Sequence, residues 1–123
     1  MYIKNIFWMD EMSKEAIVIV SDGNNDIRAF CDCCNYQYND QLSDSLNSLS
    51  EENIQKNNNN TEKIEALDDN FKYLIFGEII KKTQGLIKVN GFLITIDETK
   101  LPHDLNDGDH ISFITNRIDL WDI

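Results

Sequence analysis

The chain has 123 residues, 41% of them hydrophobic, with six Phe, four Tyr and two Trp, a composition that suits one folded domain spanning residues 1–123. Twenty-two Asp and Glu against eleven Lys and Arg leave a formal charge of -11, which opposes binding to phosphate backbones or anionic lipid head groups and favours a cationic partner. No apolar run approaches the roughly 20 residues of a membrane span, and "MYIKNIFWMDEM" carries acids where a secretory leader needs an apolar core, so a cytoplasmic protein is expected.

Three strands are expected first: "YIKNIFWM" (Tyr2 to Met9), "EAIVIVS" (Glu15 to Ser21) and "DIRAFCDC" (Asp26 to Cys33), all short and rich in β-branched or aromatic residues. Between the last two, "SDGNND" supplies the Asp-Gly and Asn residues of a tight hairpin turn. Leu42, Leu46 and Leu49 then fall at i, i+4 and i+7 and predict a short helix. Around residues 50–70 the Asn-rich insert, with "NNNN" at Asn57 to Asn60, is expected to be loosely ordered, followed by a turn or two of helix through Lys63, Ile64 and Leu67. Strand character returns in "FKYLIFGEIIKK", "GLIKV", "GFLITID" and "DHISFITNRIDLW", and Asn90-Gly91 marks a second hairpin. The fold class is therefore all-β and mainly antiparallel: a small barrel or sandwich with a short helix and a long polar insert.

All three cysteines sit in "CDCC". Strand alternation predicts Cys31 and Cys33 on one face and Cys34 on the other, so the thiols do not converge. That spacing lacks the paired knuckles and fourth ligand of a structural zinc site, unless a neighbouring closing strand brought His110 to Cys31 and Cys33. "HDLNDGDH", His103 to His110, is rich in oxygen ligands but departs from the calcium loop of an EF-hand, and reads as a solvated turn. No Walker loop, dinucleotide fingerprint or nucleophile-base pair is visible, so no cofactor, metal or enzymatic activity is expected.

The run "GLIKVNGFLITIDETKLPHDLNDGDHISF" resembles the second half of small five-stranded barrels of the OB and cold-shock type, with Gly108, Asp109, Ile111 and Phe113 in the places of the turn into the closing strand. The resemblance implies an OB-like barrel. The Lys-Gly-aromatic signature of cold-shock RNA binding is absent, so the ligand does not carry over with the fold. In size, charge and lack of catalytic residues the chain also resembles immunity proteins that neutralise bacterial toxins. That resemblance implies a basic protein partner such as a toxin nuclease, its active site occluded by carboxylates. Residue density nominates Glu51, Glu52, Asp68, Asp69, Asp104, Asp107 and Asp109 as partner-binding acids, with Tyr36 and Trp121 as aromatic anchors. Two alternatives stay open. One is an OB-like nucleic-acid-binding or adaptor module using Lys72, Lys81, Lys82 and Lys88 in the one locally basic zone; the other is a homo-oligomeric structural module paired through edge strands.

Overall fold

A computed structural model describes residues 1–68 and 71–121. Within them lie nine strands: β1 (Tyr2–Asp10), β2 (Glu15–Ser21), β3 (Asp26–Cys31), β4 (Leu46–Lys56), β5 (Lys63–Ala66), β6 (Tyr73–Lys81), β7 (Leu86–Val89), β8 (Phe92–Thr95) and β9 (His110–Asp119). The chain is all-β; the helical segments among the described residues are two 3-10 turns, Lys82–Gln84 and Glu98–Lys100. Among the described residues no helix is long and apolar enough to cross a membrane.

The strands form one sheet in the order β1-β2-β3-β9-β4-β8-β7-β6-β5, and a further β9–β6 pairing closes five of them into a barrel. In that barrel, β6, β7 and β8 make an antiparallel meander, β8 pairs in parallel with β4, and β4 and β6 flank β9. A small closed barrel of this kind is compatible with the OB-like organisation expected from the C-terminal run, although it recruits β4 from the Asn-rich half as well. Its interior follows from period-two alternation: Ile75, Ile79, Ile87, Val89, Phe92, Ile94, Ile111 and Phe113 are wholly buried. Gly77 lets β6 and β7 approach, because a methyl group there would lie 2.7 Å from Ile87 Cγ2 and 2.8 Å from the Lys88 carbonyl oxygen.

β1, β2 and β3 form a second antiparallel meander outside the barrel, with Ala16, Val18, Val20, Ile27, Ala29 and Cys31 buried on its inner side. It joins the barrel where Phe30 pairs in parallel with Asp119, and the Leu120 amide donates to the Phe30 carbonyl at 2.9 Å. Arg117 lies 5.0 Å from the Phe30 ring centroid and grips Asp119 with two hydrogen bonds of 2.7 and 2.9 Å. β9 belongs to both units: Ile111, Phe113 and Thr115 face the barrel interior, and Ile118 and Leu120 are buried beyond the phase change at Asn116.

Three sequence expectations are corrected. Leu46 and Leu49 lie in strand β4, so the Leu42, Leu46, Leu49 spacing is not a helix. Lys63 and Ile64 lie in edge strand β5 rather than in a helical turn. β3 ends at Cys31, and Cys33 takes a left-handed φ of 53°, which turns its thiol outward and returns Cys34 to the core. Cys31 and Cys33 therefore do not share a face.

Candidate functional site

Apolar side chains that a small domain would normally bury are instead gathered at one end of the N-terminal sheet. Phe7, Trp8 and Met9 in β1 are 53%, 43% and 58% exposed, and Met12 in the following turn is 97% exposed. Trp8 lies opposite Ala16, which in turn lies opposite Cys31, so the end of β1, the Glu11–Lys14 turn and the segment after β3 meet at one corner. The corner is pinned where the Cys34 amide donates to the Lys14 carbonyl at 2.7 Å and Lys14 Nζ donates to Asn35 Oδ1 at 3.1 Å. It holds an open cleft of about 500 Å³ lined by Trp8, Glu11, Lys14, Cys34, Asn35, Tyr36 and Gln37. The Tyr36 hydroxyl donates to the Trp121 carbonyl at 3.2 Å, which brings the half-exposed Trp121 to the same corner.

Tyr36 and Trp121, nominated as anchors, are thus brought together by the fold. The nominated acids are scattered over separate elements and do different work. Glu51 is not a surface carboxylate: its side chain is 2% exposed, Oε1 accepts from the Asp97 amide at 2.7 Å, and Oε2 lies 3.6 Å from Lys100 Nζ. It ties β4 to the turn after β8. Glu52 is exposed on β4. Asp68 Oδ1 accepts from the Lys72 amide at 3.3 Å, closing the link between β5 and β6, and Asp68 borders a second open cleft with Phe7, Ile19, Arg28 and Tyr73. Asp69 lies outside the described residues. In the loop before β9, Asp107 Oδ1 accepts from the Lys82 amide at 2.8 Å and Asp109 Oδ2 from the Asn106 amide at 2.9 Å, whereas Asp104 is exposed. Asp109 therefore shapes its own loop, and Asp107 ties that loop to the turn after β6.

Of the four lysines in the nucleic-acid alternative, two are engaged within the chain: Lys82 Nζ donates to the His103 and Leu105 carbonyls at 3.0 and 2.7 Å, and Lys88 Nζ pairs with Glu62 at 2.9 Å. The closing strand does not bring His110 to the cysteines. β3 meets β9 at Asp119, the opposite end from His110, whose Nε2 lies 3.7 Å from Glu78. Among the described residues no group of three metal-ligating side chains converges.

Several carboxylates are held below their ordinary range. Burial of Asp22 favours its neutral form, but hydrogen bonds from the Asn24, Asn25 and Gly91 amides outweigh it and hold the carboxyl down. The Lys4 ammonium does the same for Asp26 through a 2.9 Å hydrogen bond. At Glu62 the burial effect is again overcome, here by Lys88 and the Asn90 amide.

From sequence, Met9 and Met12 are not singled out as binding residues, and Phe7, Trp8 and Tyr38 are conceivable only as stacking platforms for single-stranded bases, core packing being expected to use up most of the aromatics. A signal was present: "IFWM" places four apolar residues in succession within a strand, and strict alternation can bury only half of them. Compared with known protein families, with curated proteins and with solved structures, the chain matches none.

Proposed function

We propose that the chain is a non-catalytic binding protein that docks a basic protein partner through the N-terminal corner, in the manner of an immunity-type inhibitor that occludes a toxin nuclease. The observation that carries this reading is the exposure of Phe7, Trp8, Met9 and Met12 at the end of β1 and its turn, with Trp8 lining the cleft it shares with Tyr36 and Phe7 lying on the opposite face of the strand. Clustered apolar exposure of this kind marks an interaction surface, and aromatic side chains serve as its anchors. Glu11 and Asp32 are exposed at or next to the corner. With a chain charge of -11 they draw a cationic surface in and set its register.

The test is affinity capture from the host with the partner identified and eluted by salt. A basic protein released as ionic strength rises, and not captured by a Trp8→Ala, Met12→Ser double variant, supports the reading. Retention of nucleic acid alone sinks it in favour of the OB-like adaptor.

A further inference from the structure

We infer that the partner engages the corner by strand addition: an extended, lysine- or arginine-bearing segment pairs with the open edge of β1 at Ile6 and Trp8. The inference rests on the proposed binding of a basic protein and specifies how it is bound.

β1 is at the end of the sheet, with β2 on one side. The chain itself already uses the other side over the first residues. Ile3 donates to the Asp40 carbonyl at 2.9 Å and accepts from the Asn39 amide at 2.8 Å, Leu42 donates to Met1 at 2.9 Å, and Tyr2 bridges antiparallel to Gln41. This edge therefore accepts an antiparallel strand. The covering segment leaves at Asn39, whose φ of 66° turns the chain away, and the Asp40 amide closes that turn on the Gln37 carbonyl at 3.1 Å. Beyond the bulge at Lys4 the register is regular from Asn5 to Trp8, opposite Ile19 to Ala16, before a second irregularity near Met9. Outward backbone groups recur at alternate residues of an antiparallel strand, so after Ile3 and the bulge they fall at Ile6 and Trp8.

The Ile6 amide is capped by its neighbour: Asn5 Oδ1 accepts from it at 3.0 Å and also from the Tyr38 hydroxyl. A side-chain carbonyl thus stands where the carbonyl of an added strand would sit, and it moves aside by side-chain rotation alone. Two common protections of an edge, proline and a free lysine, are missing between the bulges. There is no proline in β1, and its one lysine, Lys4, is held by Asp26. The two bulges confine pairing to a short window, which suits a brief segment rather than a long strand.

Charge decides the occupant. Asp10 and Glu11 follow the window, and a chain of charge -11 repels its own copy while attracting cationic side chains. Alternate side chains of a bound segment would lie beside exposed Phe7 on one face and Trp8 on the other, so the fit is to alternating basic and apolar residues.

The experiment uses the full chain and a short peptide alternating lysine and valine, blocked at both ends, at low salt. Binding is read by titration, and the edge by hydrogen exchange at the Ile6 and Trp8 amides. The expected result is binding that weakens with salt and exchange at both amides slowed about tenfold or more. The same peptide N-methylated at alternate residues should bind about tenfold more weakly, and a glutamate-valine peptide should leave exchange unchanged. In the protein, Trp8→Pro removes one outward amide and should lose the peptide, whereas Trp8→Ala keeps that amide and should lose less. If Trp8→Pro does not fold, the N-methylated peptide asks the same question.

Equal binding of the plain and N-methylated peptides overturns strand addition and leaves the cation-binding reading standing. Failure of both peptides to bind overturns the two together. Protection of Ile6 and Trp8 that grows with protein concentration in the absence of peptide shows a second copy on the edge and likewise overturns the inference.

Discussion

The barrel and the N-terminal meander are built from the same material, short strands with one buried face, yet they treat their edges and apolar residues differently. In the barrel, pairing of β9 with β6 completes the ring, and large side chains such as Phe92, Phe113, Ile75 and Ile94 converge inside it. The meander is open at β1, has small inward residues such as Ala16, Ala29 and Cys31, and leaves Phe7, Trp8 and Met9 outside. Closure gives the inward-facing large side chains an interior to fill, while outward ones such as Ile80 stay exposed; the open edge leaves Phe7, Trp8 and Met9 without such an interior. The unit that is not closed is the one on which the proposed binding surface lies.

The largest expected effect contrasts the two units at a single residue type. Phe113→Ala empties the barrel core and should cost about 3–5 kcal/mol in denaturant unfolding. Phe7→Ala deletes the same ring from β1 and should stay within about 0.5 kcal/mol. A loss above about 2 kcal/mol for Phe7→Ala would mean that the ring is part of the packing, and the contrast would fail.

The next effect concerns a carboxylate that sequence density placed on the binding surface. Glu51→Ala strips the Asp97 amide and Lys100 of their acceptor and should cost about 1–3 kcal/mol, against about 0.5 kcal/mol or less for Glu52→Ala one residue on. Equal losses would return Glu51 to the surface. Smaller again is the cysteine pair. Cys31→Ser sets a hydroxyl into the apolar side of the meander and should cost about 1–2 kcal/mol, while Cys33→Ser should be near neutral. In the folded protein Cys33 should also be the first thiol to react with an alkylating reagent, with Cys31 and Cys34 following only on unfolding.

Those contrasts bear on how the chain can be read. β2, β3 and β6 to β9 were legible because their inward positions are apolar at period two and the β2–β3, β7–β8 and β8–β9 connections carry Asp-Gly or Asn-Gly. β4 was not. Two of its inward residues, Ser48 and Glu51, are polar, and Ser48 is satisfied by a 2.7 Å hydrogen bond to Thr115. Ser50, with a φ of 58°, falls where the buried face changes phase, opposite the phase change of β9 at Asn116. What survives in the sequence is a leucine spacing that imitates a helix. Tyr36 and Trp121 can be nominated from sequence as candidate anchors, but the corner they share depends on the Lys14–Cys34 contact and the left-handed Cys33, which no local pattern encodes.

The smallest effect tests the seam between the units. Asp22 sits in the β2–β3 turn and accepts from Asn24 and Asn25 there at 2.9 and 2.7 Å, while its second oxygen accepts from Gly91 in the β7–β8 turn at 3.1 Å. One carboxylate therefore ties the two hairpin turns together. Its native pKa lies below the unfolded value, so its contribution is fully present above the ordinary aspartate range near about 4 and is lost as pH falls through the lower native value. Asp22→Ala should cost about 0.5–1 kcal/mol at neutral pH, and the difference from the parent chain should shrink as the pH drops below about 4. Because the seam joins an open unit to a closed one, the first amides released on acidification should be those of β2 and β3, ahead of β6 and β9. Simultaneous release of all four strands, or a difference that grows toward low pH, would show that the two units stand or fall as one and that Asp22 does not hold them together.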